Sequence, residues 1–311
     1  NHLLSVFLLL LRSNLSGLHL FVKDSIVSVV DRLLLVVAIG YVLWFSDAVF
    51  QIEWFVLFQF IAYMVAIVFA FVMLPAGSRW PKLNFDTSAA MNVMRQSWPY
   101  ALLILLMTAY NKLDGVMIER MANNGLVEAG IYAQAYRIID GGNNFAFLYA
   151  GMLLPIFARL VQHGDKSGIS DFINQGARFL IIPAGLGCVF VGFHSEAVMQ
   201  MLYDSEVATS AMAFRWLMGS FLFICVGYVF GTLLTASGEL SKLNWIALLS
   251  VVSNFFLNWF LIPSLGAVGA AMASFTSLFL MAIFQGLVVY RTSESISLKW
   301  TLSALICWIF A

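Results

Sequence analysis

Three arginines, Arg32, Arg137 and Arg215, lie inside long apolar runs. An ionised group at membrane depth is costly unless it faces a cavity or a partner, so each is a candidate ligand contact. With no matching excess of acids in those runs, they point to an anionic ligand. In the run at 129–157, Gln134, Arg137, Gly141 and Asn144 recur at steps of three and four and share one helix face. Asp140 lies one turn from Arg137 beside that face, and Gly141-Gly142 allows a bend. The preceding run carries Asn111, Lys112 and Asp114, and two adjacent antiparallel helices would bring Asp114 and Arg137 to similar depth. Two readings stay open: a polar cavity wall with Arg137 on the substrate, or an Arg137–Asp140 or Arg137–Asp114 pair that locks two helices together.

The other charged groups carry similar alternatives. Arg32 lines a cavity or snorkels to the cytoplasmic edge, and Arg215, beside Trp216, is a ligand contact or an interfacial anchor. The candidate cavity set is therefore Arg32, Arg137, Arg215, Asn111, Gln134 and Asn144. Asp31, Asp114 and Asp140 are candidates for ion coupling or helix pairing. Asn254 and Asn258, one turn apart, read as interhelical hydrogen-bonding residues. His163 and His194 fall in loops and read as solvated. The three cysteines, Cys188, Cys225 and Cys307, lie in separate apolar runs without metal or disulfide spacing. No metal site and no cofactor is expected beyond coupling to an H⁺ or Na⁺ gradient.

The elements that hold these residues follow from composition. The chain is 62% hydrophobic and 10% charged, against roughly 45–50% and about 25% in soluble domains. Its mean hydropathy is +0.92. Apolar runs of about 20 residues recur, each long enough to cross roughly 30 Å of hydrocarbon. Such runs satisfy their own backbone as helices, whereas barrel strands are shorter and alternate. The fold class is all-α: a polytopic helical membrane protein. Spans are expected near 1–11, 20–45, 54–75, 98–121, 129–157, 173–194, 207–235, 243–262, 266–290 and 299–311.

Charge sets their orientation. Alternate loops hold Arg12 and Lys23; Arg79, Lys82 and Arg95; Arg159, Lys166 and Arg178; Lys242; and Arg291 and Lys299. The opposite loops hold Asp47, Glu53, Glu119, Glu196, Asp204 and Glu206, with only Lys112 and Arg120 for balance. Basic loops stay cytoplasmic. The longest polar break, 76–97, is basic and contains Gly77, Pro81, Asn84 and Asp86. It divides the chain into 1–75, the remainder of an N-terminal lobe; 76–97, a cytoplasmic linker; 98–290, a C-terminal lobe of six helices; and 291–311, the start of a further helix. The chain begins and ends inside hydrophobic runs, at Asn1 and Ala311, so a piece of a longer protein lacking about three helices is expected.

Other features fit a helical carrier. Leu15-Ser16-Gly17-Leu18 followed by Ser28-Val29-Val30-Asp31-Arg32-Leu33-Leu34 matches Leu240-Ser241-Lys242-Leu243 followed by Ser250-Val251-Val252-Ser253-Asn254-Phe255-Phe256. Internal repeats of this kind build many transporters. Gly266, Gly269, Ala270, Ala271 and Ala273 form a small-residue face for close packing. Pro99, Pro155, Pro183 and Pro263 permit kinks or stops, with Pro183 the candidate gating kink. The formal charge is zero, which suggests no nucleic-acid partner. No nucleotide-binding loop, metal cluster or hydrolase elbow is found, which argues against a primary pump or an enzyme.

Two stretches carry a resemblance. Trp98-Pro99-Tyr100, Asn111-Lys112-Leu113-Asp114-Gly115 and Gly130-Ile131-Tyr132-Ala133-Gln134-Ala135-Tyr136-Arg137 form the first. The second is Leu234-Thr235-Ala236-Ser237-Gly238-Glu239, Asn254 to Asn258, and Leu261-Ile262-Pro263-Ser264-Leu265-Gly266-Ala267-Val268-Gly269-Ala270-Ala271. Together they resemble the bacterial oligosaccharide (O-antigen) flippases, in the polysaccharide transporter branch of the multidrug/oligosaccharidyl-lipid/polysaccharide exporter superfamily. The resemblance spans about residues 10 to 295. It implies two six-helix lobes around a central cavity that rock between inward-open and outward-open states, in the bacterial inner membrane. It implies a polyprenyl-diphosphate-linked oligosaccharide as substrate, for lipopolysaccharide or other surface polysaccharide. A guanidinium suits a diphosphate because it makes bidentate contacts. A monomer in the lipid bilayer, meeting polysaccharide polymerase machinery, is the implied assembly. A cation-coupled multidrug exporter and a lipid II flippase of the same superfamily stay open as alternatives. A membrane glycan polymerase or ligase fits less well, because no outer loop is long enough for an active site.

Overall fold

The computed structural model describes residues 1–18, 20–45, 52–75 and 87–292. It divides into two compact units, Asn1–Asp86 and Thr87–Ala311. Asp47, Arg79, Lys82, Lys299 and Cys307 lie outside the described residues, as does the span expected at 299–311. The described residues are helical, without strands, and seven helices are long and apolar enough to cross a membrane. This is a multi-pass all-α membrane protein.

The first unit contains α1 (His2–Gly17), α2 (Phe21–Phe45) and α3 (Ile52–Met73). On α3, Ala62, Ala66 and Ala70 recur every fourth residue and are buried, a stripe that lets neighbouring backbones approach. Leu8, Leu11 and Leu15 of α1 and Val27 of α2 pack with Ala66 and Ala70. At the polar end of the unit Arg12 pairs with Asp24 at 2.8 Å, and Lys23 Nζ donates to the Met73 carbonyl at 3.2 Å. Arg12 and Lys23, expected in a loop, thus lie within α1 and α2 and join helices.

The second unit contains α4 (Thr87–Met121), α5 (Gly125–His163), α6 (Lys166–Gly176), a π-helical turn (Ala177–Ile181), α7 (Ile182–Leu202), α8 (Val207–Ala236) and α9 (Leu240–Thr292). α8 is the axis: residues such as Phe214, Leu217, Phe223, Val226 and Phe230 are buried around its whole circumference. A helix apolar all round belongs at the centre of a bundle. α9 is two helices in one run, because Gly266 takes non-helical angles, φ 54° and ψ −129°. Its arms, 240–265 and 267–292, double back on each other, and Ser250 Oγ donates to the Ser277 carbonyl at 3.3 Å. Each arm exceeds the roughly 20 residues a span needs. Ala267, Ala270, Ala271 and Ala273 are fully buried, so the small-residue face does pack closely. Gly266 is the reversal itself.

The helices outrun the hydropathy windows. α4 begins at Thr87 and not near 98, so Arg95 is helical and the second half of the expected linker, 87–97, belongs to α4. α6 begins at Lys166, where Asp165 Oδ1 accepts the Gly168 N–H at 2.9 Å, and Arg178 lies in the π turn and not in a loop. Hydropathy registers only the part of a helix suited to hydrocarbon; polar turns outside it are satisfied by water or caps. Pro183 follows the π turn directly at the start of α7, which accounts for the irregular backbone there. The repeated motif is not in equivalent register: Leu15–Gly17 closes α1, whereas Leu240–Leu243 opens α9.

Candidate functional site

The most heavily engaged polar group of the second unit is Asp114 on α4, which is 4% exposed. Tyr132 Oη, from α5, donates to its Oδ2 at 2.6 Å. Asn258 Nδ2, from the first arm of α9, donates to its Oδ1 at 2.7 Å and also to Asn254 Oδ1 at 3.0 Å. Ser274 Oγ, from the second arm, donates to Oδ2 as well. Behind these, the Tyr110 hydroxyl meets Ser277 Oγ at 2.9 Å and the Ser274 carbonyl at 3.2 Å. One carboxyl on α4 thus joins α5 and both arms of the α9 hairpin.

Local sequence explains how the donors arrive. Asn254 and Asn258 are one turn apart, and both are fully buried. Ser274 and Ser277 are likewise three apart on the facing arm. The reversal at Gly266 sets the two arms side by side, and Glu128 Oε2 accepts the Ala267 N–H at 2.8 Å, capping the second arm from α5.

The chemistry of the cluster is that of a buried acid among neutral partners. Among the described residues no lysine or arginine forms an ion pair with Asp114. Asn258 Oδ1 and Asn254 Nδ2 are buried without a partner. A small cavity of about 20 Å³, lined by Tyr110, Asn111, Asp114, Tyr132 and Ser274 among others, adjoins the carboxyl. That is room for about one water or one small ion. The hydroxyls that now donate can rotate to present lone pairs, and Asn258 Oδ1 is already free to accept. The arrangement can take up a proton, or a small hard cation on an all-oxygen set. Among the described residues no group of three or more His, Cys, Asp or Glu side chains is assembled.

Of the residues singled out from the sequence, the structure brings Asn111 and Asp114 together at this small cavity. Asp114 meets Tyr132 and not Arg137, which lies five residues, about 7.5 Å of helix rise, further along α5. Arg137 and Asp140 are exposed, and among the described residues neither forms an ion pair. Asn144 is exposed and donates to the Asp140 carbonyl of its own helix at 2.8 Å. Gln134 is half-buried, with its Oε1 unpartnered. Arg215 is engaged: its Nε donates to Ser195 Oγ at 2.6 Å and its Nη2 lies 3.5 Å from Glu196, so it ties α8 to α7. In the first unit Asp31 is half-buried and Arg32 exposed on α2.

Sequence reasoning passed over Tyr132, Ser274 and Asn143. Tyr132 and Ser274 are common residue types in apolar helices, and only their shared target distinguishes them. Asn143, and not Asn144, faces α8, where it accepts the Tyr228 hydroxyl at 2.9 Å. The signal for Asn254 and Asn258 was present in part: Asn258 makes the interhelical bond, to Asp114, whereas Asn254 accepts from Asn258 within the same arm.

Comparison with known proteins places this helical bundle. A family model described as "Polysaccharide biosynthesis protein" matches residues 2–161, which is α1 through most of α5. The chain belongs to that family. Two archaeal relatives are similar to this member. One is an uncharacterised membrane protein of Methanocaldococcus jannaschii, 23% identical over 164 residues, covering 52% of this chain and 32% of the relative. The other is a probable low-salt glycan biosynthesis flippase of Haloferax volcanii, 26% identical over 177 residues, covering 56% of this chain and 36% of the relative. The matched stretch thus spans about a third of each relative's length. In this family member, Asp114 and Tyr132 lie within the matched region, whereas Asn258 and Ser274 come from the α9 hairpin beyond it.

Proposed function

We propose that this chain is part of a flippase that moves a polyprenyl-diphosphate-linked oligosaccharide from the cytoplasmic to the outer leaflet, a transporter and not an enzyme. Membership of the polysaccharide biosynthesis family and similarity to a protein named as a glycan flippase support the class. The observation that carries the mechanism is the buried Asp114 carboxyl, bonded from α5 and both arms of α9 with no basic partner among the described residues. A carboxyl at membrane depth is a functional group by default. Taking up H⁺ or Na⁺ there would reset the hydrogen bonds of three helical segments at once. Such a change could bias one packing of the bundle over another, which alternating access requires.

In this reading the chain contributes helices on both sides of a cytoplasmic linker. Arg137 on α5 contacts the diphosphate, with Gln134, Asn111 and Asn144 toward the sugars, and Arg32 on α2 is a separate candidate for an anionic contact. Arg215 serves chiefly as the α7–α8 clamp, and Asp31 and Asp140 are secondary candidates for coupling. Assembly of O-antigen or lipopolysaccharide in a bacterial inner membrane, with a polymerase receiving the product, is the finer form of this proposal. A cation-coupled exporter of small molecules is the second reading, favoured by Asp114 itself. The exposed Arg137 disfavours a cationic cargo.

The test uses the completed gene in a strain whose own glycan flippase is deleted, following surface polysaccharide and lipid-linked precursor. The unmutated protein is expected to restore the surface glycan, and Asp114→Asn at equal expression to lose it with precursor build-up. Restoration by Asp114→Asn would remove the coupling role. Failure of the unmutated protein together with efflux of a drug would favour the second reading.

A further inference from the structure

The second unit encloses a larger cavity of about 400 Å³, bounded by α4, α5, α8 and both arms of α9. That volume lies in the range of small-molecule sites, and such sites combine an apolar wall with a few placed polar groups. Hydrocarbon and aromatic side chains such as Leu103, Met107, Phe147 and Phe223 make most of this wall. Among the described residues no Asp, Glu, Lys, Arg or His lines it.

Most of its polar side chains already have partners. The Tyr228 hydroxyl donates to Asn143 at 2.9 Å, and Thr232 and Thr235 donate to carbonyls of their own helix at 2.5 and 2.8 Å. Ser250 bonds the Ser277 carbonyl. Gln285, on the second arm of α9, differs. It is 1% exposed, and its Oε1 has no hydrogen-bond partner. Among the described residues no other lining residue has a buried side-chain polar atom left unpartnered. Its carboxamide lies against Gly227 and Gly231 of α8: a Cβ at those positions would come 3.5 Å from Oε1 and 3.6 Å from Nε2. Two glycines therefore leave space beside an amide that needs a donor, in a place where a lone polar group is unfavourable.

We propose that this cavity binds an uncharged amphiphile, with its hydrocarbon body along the apolar wall and a hydroxyl at Gln285. The hydroxyl donates to Oε1 and its oxygen accepts from Nε2, so one group satisfies both ends of the amide. With no charged side chain among the described lining residues, the cavity disfavours phosphate and ammonium heads, which sets this ligand apart from a diphosphate-linked cargo. Met107 and Phe147, lining from α4 and α5, are 44% and 62% exposed, an apolar way in for a molecule dissolved in the bilayer. The site is independent of the transport reading, because binding is measured without transport.

The test is photolabelling of the full-length protein in nanodiscs with a diazirine derivative of hexadecan-1-ol, the modified residues being mapped by mass spectrometry. Labelling is expected on α8 and the second arm of α9 around Gly231 and Gln285. Hexadecan-1-ol should compete about tenfold better than hexadecane or hexadecyl phosphate, the size expected of one well-made buried hydrogen bond. Gln285→Leu, which keeps the volume but removes the amide, should weaken binding by a similar factor. Gly231→Leu, which fills the space, should abolish labelling. Melting temperatures within a degree or so of the unmutated protein would confirm that the variants fold; if Gly231→Leu does not, Gln285→Leu decides. Labelling confined to lipid-facing residues, equal competition by the phosphate or the alkane, or undiminished binding by Gln285→Leu would each overturn the proposal.

Discussion

At the scale of single residues, Asp114 concentrates the consequences. Tyr132, Asn258 and Ser274 aim at one carboxyl, so the three hydrogen bonds are coupled. Asn258→Leu is expected to destabilise by about 1–3 kcal/mol, because it leaves a buried carboxyl short of a donor. Measured as a melting temperature in detergent, this loss should shrink in the double variant Asn258→Leu/Asp114→Asn, since the group left unpaired is then neutral. Additive losses would show that the two residues act separately. Arg137 makes the opposite prediction: it is exposed and unpaired among the described residues. Arg137→Ala should leave the melting temperature unchanged while reducing glycan export. A fall in stability with normal export would turn Arg137 into a helix-locking residue.

At the scale of elements, the α9 hairpin is the device that assembles the site. Gly266 has the backbone angles of the first central residue of a type II′ turn, which side chains other than hydrogen resist. A Cβ there would also press into the Glu128 carboxylate that caps Ala267. Gly266→Ala is expected to cost about 1–3 kcal/mol, read as a lower melting temperature, and to impair transport by misplacing Ser274 relative to Asn258. The clamp between α7 and α8 should be gentler. Arg215 is 44% exposed in its pair with Glu196. Arg215→Ala should therefore lower stability by about 1 kcal/mol or less and keep most export activity. Complete loss of export in a stable Arg215→Ala protein would return it to the set of substrate contacts.

At the scale of the whole molecule, charge and the lipid solvent set the orientation. Residues near Lys242 are expected on the cytoplasmic side and those near Asp204 on the opposite side. In a cysteine-free full-length protein, a single cysteine at Ser205 should react with an impermeant maleimide added to intact cells. One at Ser241 should react only after the membrane is opened. The reverse pattern would invert the topology and, with it, the direction proposed for transport.

What the sequence determined by itself is the class and the presence of polar groups within the apolar runs. Long apolar runs must become helices in a bilayer because no water satisfies their backbone, so the spans could be read without knowing how they pack. The same reasoning marked Asp114 and the Asn254–Asn258 pair as unusual, because polarity within hydrocarbon is conspicuous in one dimension. Which polar groups meet was decided only by tertiary structure. Helical periodicity places residues on a face but does not say which neighbour that face meets. Asp114 therefore found Tyr132 and not Arg137, Asn143 and not Asn144 turned toward α8, and Arg215 closed onto α7. Helix ends were equally illegible to hydropathy, since α4 and α6 continue into water through polar turns. The hairpin at Gly266 depended on a carboxylate 139 residues away in the chain, a partner that no local pattern discloses.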